Sequence, residues 1–307
     1  MTLFLRRCAK RWQLFVFLIP AVAYILIFAY YPMFGVQIAF RNYTPKGGIW
    51  NSAWVGLKHF QRFFASFQFS RVLINTLRVS VYSLLVNFPL AVVMALAMNT
   101  VRNVFFKKTV QTVTYMPHFI SIVVLVGMLT QMFNPVMGMY GNLYRIFAGS
   151  GYPKDLLTQA AVFPHLYVWS GTWQNLGWST IIYMAALSSV DLELHEAAQI
   201  DGATRLGRVV HIDLPALLPT ASIMLILNAG SIMSVGFEKA YLMQNTTNLS
   251  TAEVISTYVY KVGMSQGTTQ FSYAAAIGLF NSAVNCFMLV VFNLLSRKIN
   301  NDGASLF

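Results

Sequence analysis

Charge is scarce in this sequence. Of its 307 residues 9 are Asp or Glu and 21 are Lys or Arg, so charged residues make up 10% of the chain while hydrophobic ones make up 57%. Soluble domains carry about one quarter charged residues, so this balance excludes an ordinary soluble globule and places the chain in a bilayer. Cysteine is scarcer still. Cys8 stands beside an N-terminal basic cluster and Cys286 inside a long apolar run, which excludes a disulfide framework and predicts two free thiols. Motifs that carry chemistry are missing too: there is no GxxxxGK[ST] phosphate loop, no HExxH helix and no GxSxG elbow, so neither catalytic nor metal-ligating residues are assigned. The nine acids, Asp155, Asp191, Glu193, Glu196, Asp201, Asp213, Glu238, Glu253 and Asp302, all avoid the centres of the apolar runs. A proton-driven carrier commonly keeps ionisable groups there, and His118 and His165 stand only at run edges.

What is present is a series of apolar runs. About 20 apolar residues cross a bilayer, and the runs near Leu14–Met33, Val79–Met98, Met116–Phe133, His165–Ser188, Leu217–Gly236 and Tyr273–Leu295 predict an all-α integral membrane protein of six transmembrane helices in one domain, 1–307. The first run follows Arg6, Arg7, Lys10 and Arg11 without a small-x-small cleavage site and reads as an uncleaved span. Together with Arg297 and Lys298, and with Arg102, Lys107 and Lys108 after the second span, these cations predict cytoplasmic termini. The net charge of +12 is spread between apolar runs rather than along one aromatic-interleaved stripe, which points to membrane lipid as a partner and away from nucleic acid.

One polar segment is too patterned for a linker. Residues 191–215 hold five acids, with Leu194, Ala197, Ala198 and Ile200 favouring a short helix and Gly202 supplying a turn. Leu206, Val209, Val210 and Ile212 then give a second apolar face, which Pro215 is expected to stop. Small Ala197, Ala198, Gly202 and Ala203 allow another backbone to approach closely, and Glu196 and Asp201 offer charge-assisted hydrogen bonds.

The spacing Glu196-Ala197-Ala198, Asp201-Gly202-Ala203 and Ile212-Asp213-Leu214-Pro215 resembles the EAA loop of binding-protein-dependent import permeases. Val209 departs from the family pattern, which has a larger aromatic there. The resemblance implies that this loop, between the fourth and fifth spans, is a coupling helix seated in a cytoplasmic ATPase, with Glu196, Ala197, Ala198, Asp201, Gly202, Ala203, Ile212, Leu214 and Pro215 forming the coupling site. It also implies a heterodimer with a second permease subunit, two ATPase copies that bind ATP and Mg, an extracytoplasmic solute-binding protein, no cofactor in this chain, and a bacterial inner-membrane location. Gly56-Leu57 with Phe60, Asn75-Thr76-Leu77, Met116-Pro117, Gly236-Phe237-Glu238, Thr257-Tyr258-Val259-Tyr260 and Phe271 to Phe280 are similar to the maltose-type carbohydrate permeases, above all to their complex-oligosaccharide, polygalacturonan-type subgroup.

Physical support for a sugar is separate from that resemblance. Trp169 and Trp173 lie one helical turn apart, and Gln174, Asn175 and Tyr183 offer hydrogen bonds, a lining suited to sugar rings. The same tryptophans also suit an interfacial belt or interhelical packing. Asn228, Asn281 and Asn285 place amides in apolar runs, either as interhelical glue or facing a wet cavity. Glu238, beside Lys239, lies at the outer end of the fifth run, lining a vestibule or marking the boundary. The first external loop carries Arg41, Lys46, Lys58, Arg62 and Arg71 and no acid, so an anionic, uronate-containing oligosaccharide is one expectation. Contact with a binding protein or lipid headgroups is the other. Alternatives to this importer reading are a permease for amino acids, phosphate or polyamines, and an ATP-independent transporter or channel.

Overall fold

A computed structural model describes residues 12–148, 151–265 and 270–299. Arg6, Arg7, Cys8, Lys10, Arg11 and Asp302 lie outside the described residues, as do the side chains of Arg297 and Lys298. Among the described residues the protein is helical, with a single isolated bridge between Arg41 and Trp54 and no strand. It forms two compact units.

The first unit takes in the described parts of Met1–Ala65 and Val259–Leu279. Helix α1, Trp12–Ile25, continues through a π turn at Leu26–Tyr30 and a 3-10 segment at Phe34–Phe40. None of its most apolar stretch is buried, as suits a surface facing hydrocarbon. After it, the Arg41 guanidinium donates to the carbonyls of Trp50 and Ser52 at 3.1 and 3.0 Å and lies over the Trp54 ring. On α2, Lys58–Phe64, Arg62 lies 4.5 Å from the centre of the Tyr273 ring.

The second unit holds the described parts of Ser66–Tyr258 and Phe280–Phe307. Its long helix α3, Phe67–Thr100, starts where the Ser66 hydroxyl accepts the Phe69 N–H. It has 34 residues, about 51 Å at 1.5 Å per residue, so it outruns a hydrocarbon core of about 30 Å and exceeds the expected Val79–Met98. Arg71 on α3 forms an ion pair with Glu253. Of the five cations expected on the basic loop, Arg71 is thus answered by an acid, Glu253, 182 residues away, while the Arg41 guanidinium donates to carbonyls and Arg62 lies over a ring.

The expected third span is broken. Helix α4, Val104–Tyr115, runs through a 3-10 turn at Met116–Phe119, and α5, Ile122–Met132, begins afresh with the Ser121 hydroxyl accepting the Val124 N–H. The two halves are bent by 99°. Pro117 removes a backbone donor just where the ladder ends, and the Ser121 cap restarts it. Helix α6, Met139–Ala148, follows.

Helix α7, Phe163–Ser188, coincides with the expected fourth span but is not among the helices apolar enough to cross by composition. Those are Val16–Phe40, Phe67–Thr100, Arg205–Gly230 and Phe271–Leu295, with a fifth if the bent pair counts as one. The reason is local: Ser170, Thr172, Gln174, Asn175, Ser179 and Thr180 occupy its middle.

Beyond α7 come α8, Leu192–Ile200, and α9, Arg205–Arg208, with Gly202 between them at φ 81°. Pro215 does not stop the helix. Instead Val209–Asp213 widens into a π turn, in which the Leu214 N–H reaches the Val209 carbonyl, and α10, Leu214–Gly230, continues. The wider turn accommodates the donor that Pro215 lacks and the bulk of its ring. The apolar helix long enough to cross is thus Arg205–Gly230 rather than the expected Leu217–Gly236, and Asp213 lies within it, 2% exposed. The remaining helices are α11, Phe237–Met243, α12, Leu249–Ala252, α13, Ile255–Tyr260, and α14, Phe271–Ile299.

Two apolar clusters hold the second unit. One gathers Val79, Val126, Phe163, Val235, Ala240 and Met243, and the other Ala91, Ala95, Tyr183, Leu187, Leu217 and Ala221. Small residues let membrane helices approach, since packing rather than water exclusion drives their association. Gly177 is the tightest such contact on α7: a Cβ there would stand 2.3 Å from the Thr114 carbonyl oxygen.

Candidate functional site

A cavity of about 400 Å³ opens among α3, α7, α10 and the segment leading into α11. Its walls are built from small polar groups set on apolar helices. Gly171, Gln174, Asn175 and Ser179 recur at spacings of three and four along α7, so one stripe of an otherwise hydrophobic helix faces the space. Ser80, Ser83 and Asn87 do the same on α3, while Tyr183, Asn228, Ser231 and Ser234 add to the lining. The expected Gln174, Asn175, Tyr183 and Asn228 are therefore together. The hydroxyls of Ser80, Ser83, Ser179, Ser231 and Ser234 escaped the sequence reading, although the Ser80, Ser83, Asn87 spacing already follows a helical period.

These walls are partly pre-bonded. Gln174 donates through Nε2 to the Ile120 carbonyl at 2.7 Å, at the break between α4 and α5. Asn175 donates to the Gly171 carbonyl, and its Oδ1 lies 3.0 Å from His118 Nδ1; that imidazole is stacked on Trp178 with 4.4 Å between ring centres. Thr172 donates to Asn87 Oδ1 at 2.5 Å, and Asn228 to the Met224 carbonyl at 2.7 Å.

Lys239, on α11 beyond the end of the Arg205–Gly230 span, is the one charged side chain among the described residues that line the cavity. It is 6% exposed, and Nζ donates to the Tyr167 carbonyl at 2.8 Å while lying 4.7 Å from the centre of the Tyr167 ring. Burial lowers its pKa to about 8, which leaves it predominantly protonated at pH 7.

Other candidates lie elsewhere. Trp169 and Trp173 are half exposed and do not line the cavity; the Trp169 indole donates to the Tyr82 hydroxyl at 2.9 Å. Glu238 is exposed and outside the lining. Asn281 and Asn285 on α14 are also outside it. Asn285 accepts the Met233 N–H at 2.8 Å and donates to the Ser234 hydroxyl at 2.9 Å, which anchors the chain as it leaves α10.

The segment 191–215 forms an elbow. Asp191 caps α8 by accepting the Glu193 N–H, Thr204 caps α9 by accepting the Gly207 N–H, and Arg208 donates across the elbow to Gln199 Oε1. Glu196, Ala197, Asp201, Gly202, Ala203 and Pro215 are exposed, whereas Ala198, Ile212 and Leu214 are half buried. Ile200 and Leu206 are 86% and 73% exposed, an apolar surface that the rest of this chain does not cover. Behind it a second cavity of about 360 Å³ is lined by Asn99, Arg102, His195, Arg205, Arg208, Val209 and Asp213, among others. Asp213 closes that space: its Oδ1 accepts Asn99 Nδ2 at 3.1 Å and lies 3.3 Å from His195 Nε2.

Apolar crossing helices, a polar cavity among them and an exposed elbow at their end define a multi-pass membrane transport component. Residues 87–301 match the family model for the binding-protein-dependent transport system inner membrane component, and the chain belongs to that family. It is 41% identical over 290 residues to protein LplB of Bacillus subtilis, covering 94% of this chain and 90% of that one. It is equally similar, at 41% over 290 residues, to the polygalacturonan/rhamnogalacturonan transport system permease protein YteP of Bacillus subtilis, covering 94% and 89%. Among solved structures, a chain of a bacterial ABC transporter involved in the import of the acidic polysaccharide alginate matches with a TM-score of 0.87 and 36% identity, over 97% of this chain and 99% of that one. The alginate transporter in complex with an alginate pentasaccharide-bound periplasmic protein matches with a TM-score of 0.86 and 37% identity, over 96% and 97%.

Proposed function

We propose that this chain is the membrane permease subunit of an ATP-binding-cassette importer that translocates an oligosaccharide delivered by an extracytoplasmic solute-binding protein. The observation that carries this reading is the hydroxyl- and amide-lined cavity between α3, α7 and α10, in a chain of the binding-protein-dependent family. Sugar hydroxyls are both donors and acceptors, so a wall of Ser, Asn and Gln can exchange hydrogen bonds with them as they pass. The names of the relatives, a polygalacturonan/rhamnogalacturonan permease and an alginate importer, favour carbohydrate over amino acids or polyamines.

In this reading the chain is one permease domain of six crossings, with the bent pair and α7 supplying the two that hydropathy alone does not count. Both termini are cytoplasmic. The exposed elbow then docks into a cytoplasmic ATPase, with Glu196, Ala198, Asp201 and Gly202 at its contact face, and Ile200 and Leu206 bury their apolar surface there. A second permease subunit completes the pathway, two ATPase subunits bind the ATP and Mg, and this chain performs no hydrolysis. Nucleotide-driven closure of the ATPases moves the elbows, and α9 with α10 transmits that motion because the π turn keeps them one helix. Each ligand shifts the access equilibrium only by its differential affinity for the two states.

Reconstituted complexes with a loaded binding protein test the proposal. Uptake of oligosaccharide is expected only with hydrolysable ATP on the elbow side, and a cysteine replacing Ala198 is expected to crosslink to the ATPase. Solute movement in the absence of nucleotide would refute it.

A further inference from the structure

Buried lysines are rare unless paired, because the ammonium gives up its hydration. Lys239 is buried without a carboxylate: among the described residues Glu253 pairs with Arg71 and Asp213 lies beside His195, and neither acid is at Lys239. Its ammonium has three protons to donate. One goes to the Tyr167 carbonyl, and the Tyr167 ring faces the charge from one side. The remaining donors border a cavity whose other described lining groups are neutral hydroxyls, amides and apolar side chains. Tyr167 holds this arrangement from two ends, since its hydroxyl is hydrogen-bonded to the Gly236 backbone three residues before Lys239. Gly171 keeps the approach open: a Cβ there would stand 3.0 Å from Nζ.

A neutral sugar has no need of such a charge, because Ser, Asn and Gln satisfy hydroxyls alone. A uronate differs from the corresponding hexose by a carboxylate in place of a hydroxymethyl group, and one unpaired ammonium is the complement of that difference. We propose that Lys239 is a carboxylate-binding subsite within the permease itself, so that the membrane subunit, and not only the binding protein, selects uronate-bearing oligosaccharides. This rests on the importer reading above. The volume of about 400 Å³ lies in the range of small-ligand sites, about 300–1,000 Å³. The neighbouring Glu238 does not weaken the subsite, being exposed and outside the cavity lining.

Reconstituted complexes carrying wild-type chain, Lys239→Met, Lys239→Arg or Gly171→Ala are compared for ATP-driven uptake of uronate trisaccharides of the galacturonate and alginate types. The methyl esters of the same sugars, which keep the rings and remove the charge, are the controls. Comparing the acid-to-ester ratio between variants cancels the preference of the binding protein. Lys239→Met is expected to lower that ratio about tenfold or more, the scale of a lost hydrogen bond to a charged group, and Lys239→Arg to restore most of it. Gly171→Ala, which displaces the ammonium without removing it, is expected to lower the ratio in the same direction and serves if the Met variant does not assemble. An unchanged ratio in Lys239→Met, or in Gly171→Ala where Met fails, overturns the subsite. So does a wild-type complex that carries the esters and rejects the acids. Absence of ATP-dependent uptake of any of these sugars would instead overturn the importer reading, and the subsite with it.

Discussion

Removing the carboxylate of Asp213 should loosen the elbow from the helices behind it. This side chain is 2% exposed, and its Oδ1 receives Asn99 Nδ2 from the end of α3 at 3.1 Å and faces His195 Nε2 from α8 at 3.3 Å. One oxygen thus joins three segments. Asp213→Ala leaves the Asn99 amide without its acceptor in a part-buried site, at a cost of about 1–3 kcal/mol. His195, one-fifth exposed, recovers part of its loss from water and adds less. Asp213→Asn keeps an acceptor oxygen and should cost clearly less. Two measurements follow: thermal unfolding of the purified complex, and the ratio of ATPase activity with and without sugar-loaded binding protein. In the importer reading proposed above, the Ala variant should lower the unfolding midpoint and lose most of the stimulation while basal hydrolysis persists. If stability and stimulation both stay at wild-type values, Asp213 does not tie the elbow to α3.

Other outcomes are expected elsewhere. Glu196→Lys, on the exposed face of α8, should abolish uptake by uncoupling the ATPase; sugar-stimulated hydrolysis unchanged in proteoliposomes would refute the coupling role. Gly177→Ala puts a methyl 2.3 Å from the Thr114 carbonyl oxygen, so α4 and α7 must part, destabilising the subunit by about 1–3 kcal/mol as measured by denaturation in detergent. Arg71→Met removes the Arg71 arm of an ion pair whose Glu253 is 2% exposed and should lower the thermal unfolding midpoint of the subunit. Replacing both partners by apolar residues should recover much of that loss, and equal damage from the single and double variants would show that the pair is not the cause.

The membrane class, the helical content and the elbow were legible because each writes a strong local pattern: few charges, long apolar runs, and a capped acidic segment with Gly202 at its turn. The limits of the elements were not. Val209–Asp213 is a π turn because Pro215 needs a wider turn before it, and a proline in isolation reads as a stop. The break at Ile120 is set by Pro117 and the Ser121 cap within an apolar stretch, which composition scores as continuous. Long-range partners were hidden for a different reason. Glu253 neutralises Arg71 across 182 residues, and no local charge count can reveal that pairing. The polar lining was half visible: Gln174, Asn175, Tyr183 and Asn228 stood out as polar groups in apolar runs, while the serines of α3 were too small to draw attention.

The helix that hydropathy discounts is also the one that carries the polar wall, and one cause accounts for both. Buried polar groups without partners cost free energy in proportion to how little water can reach them, so the middle of α7 is tolerable only with protein or a wet cavity against it. Its tight contact at Gly177 brings α4 close on one side, and Ala91, Ala95, Leu217 and Ala221 pack with Tyr183 and Leu187 on another. The break between α4 and α5 frees the Ile120 carbonyl, and Gln174 on α7 satisfies it. A broken span and a polar span would each be penalised alone in hydrocarbon; together they remove one another's unpaired groups. The hydroxyls and amides that face the cavity, and the ammonium protons of Lys239 beyond the one given to Tyr167, are the part of the helix bundle available to a passing solute.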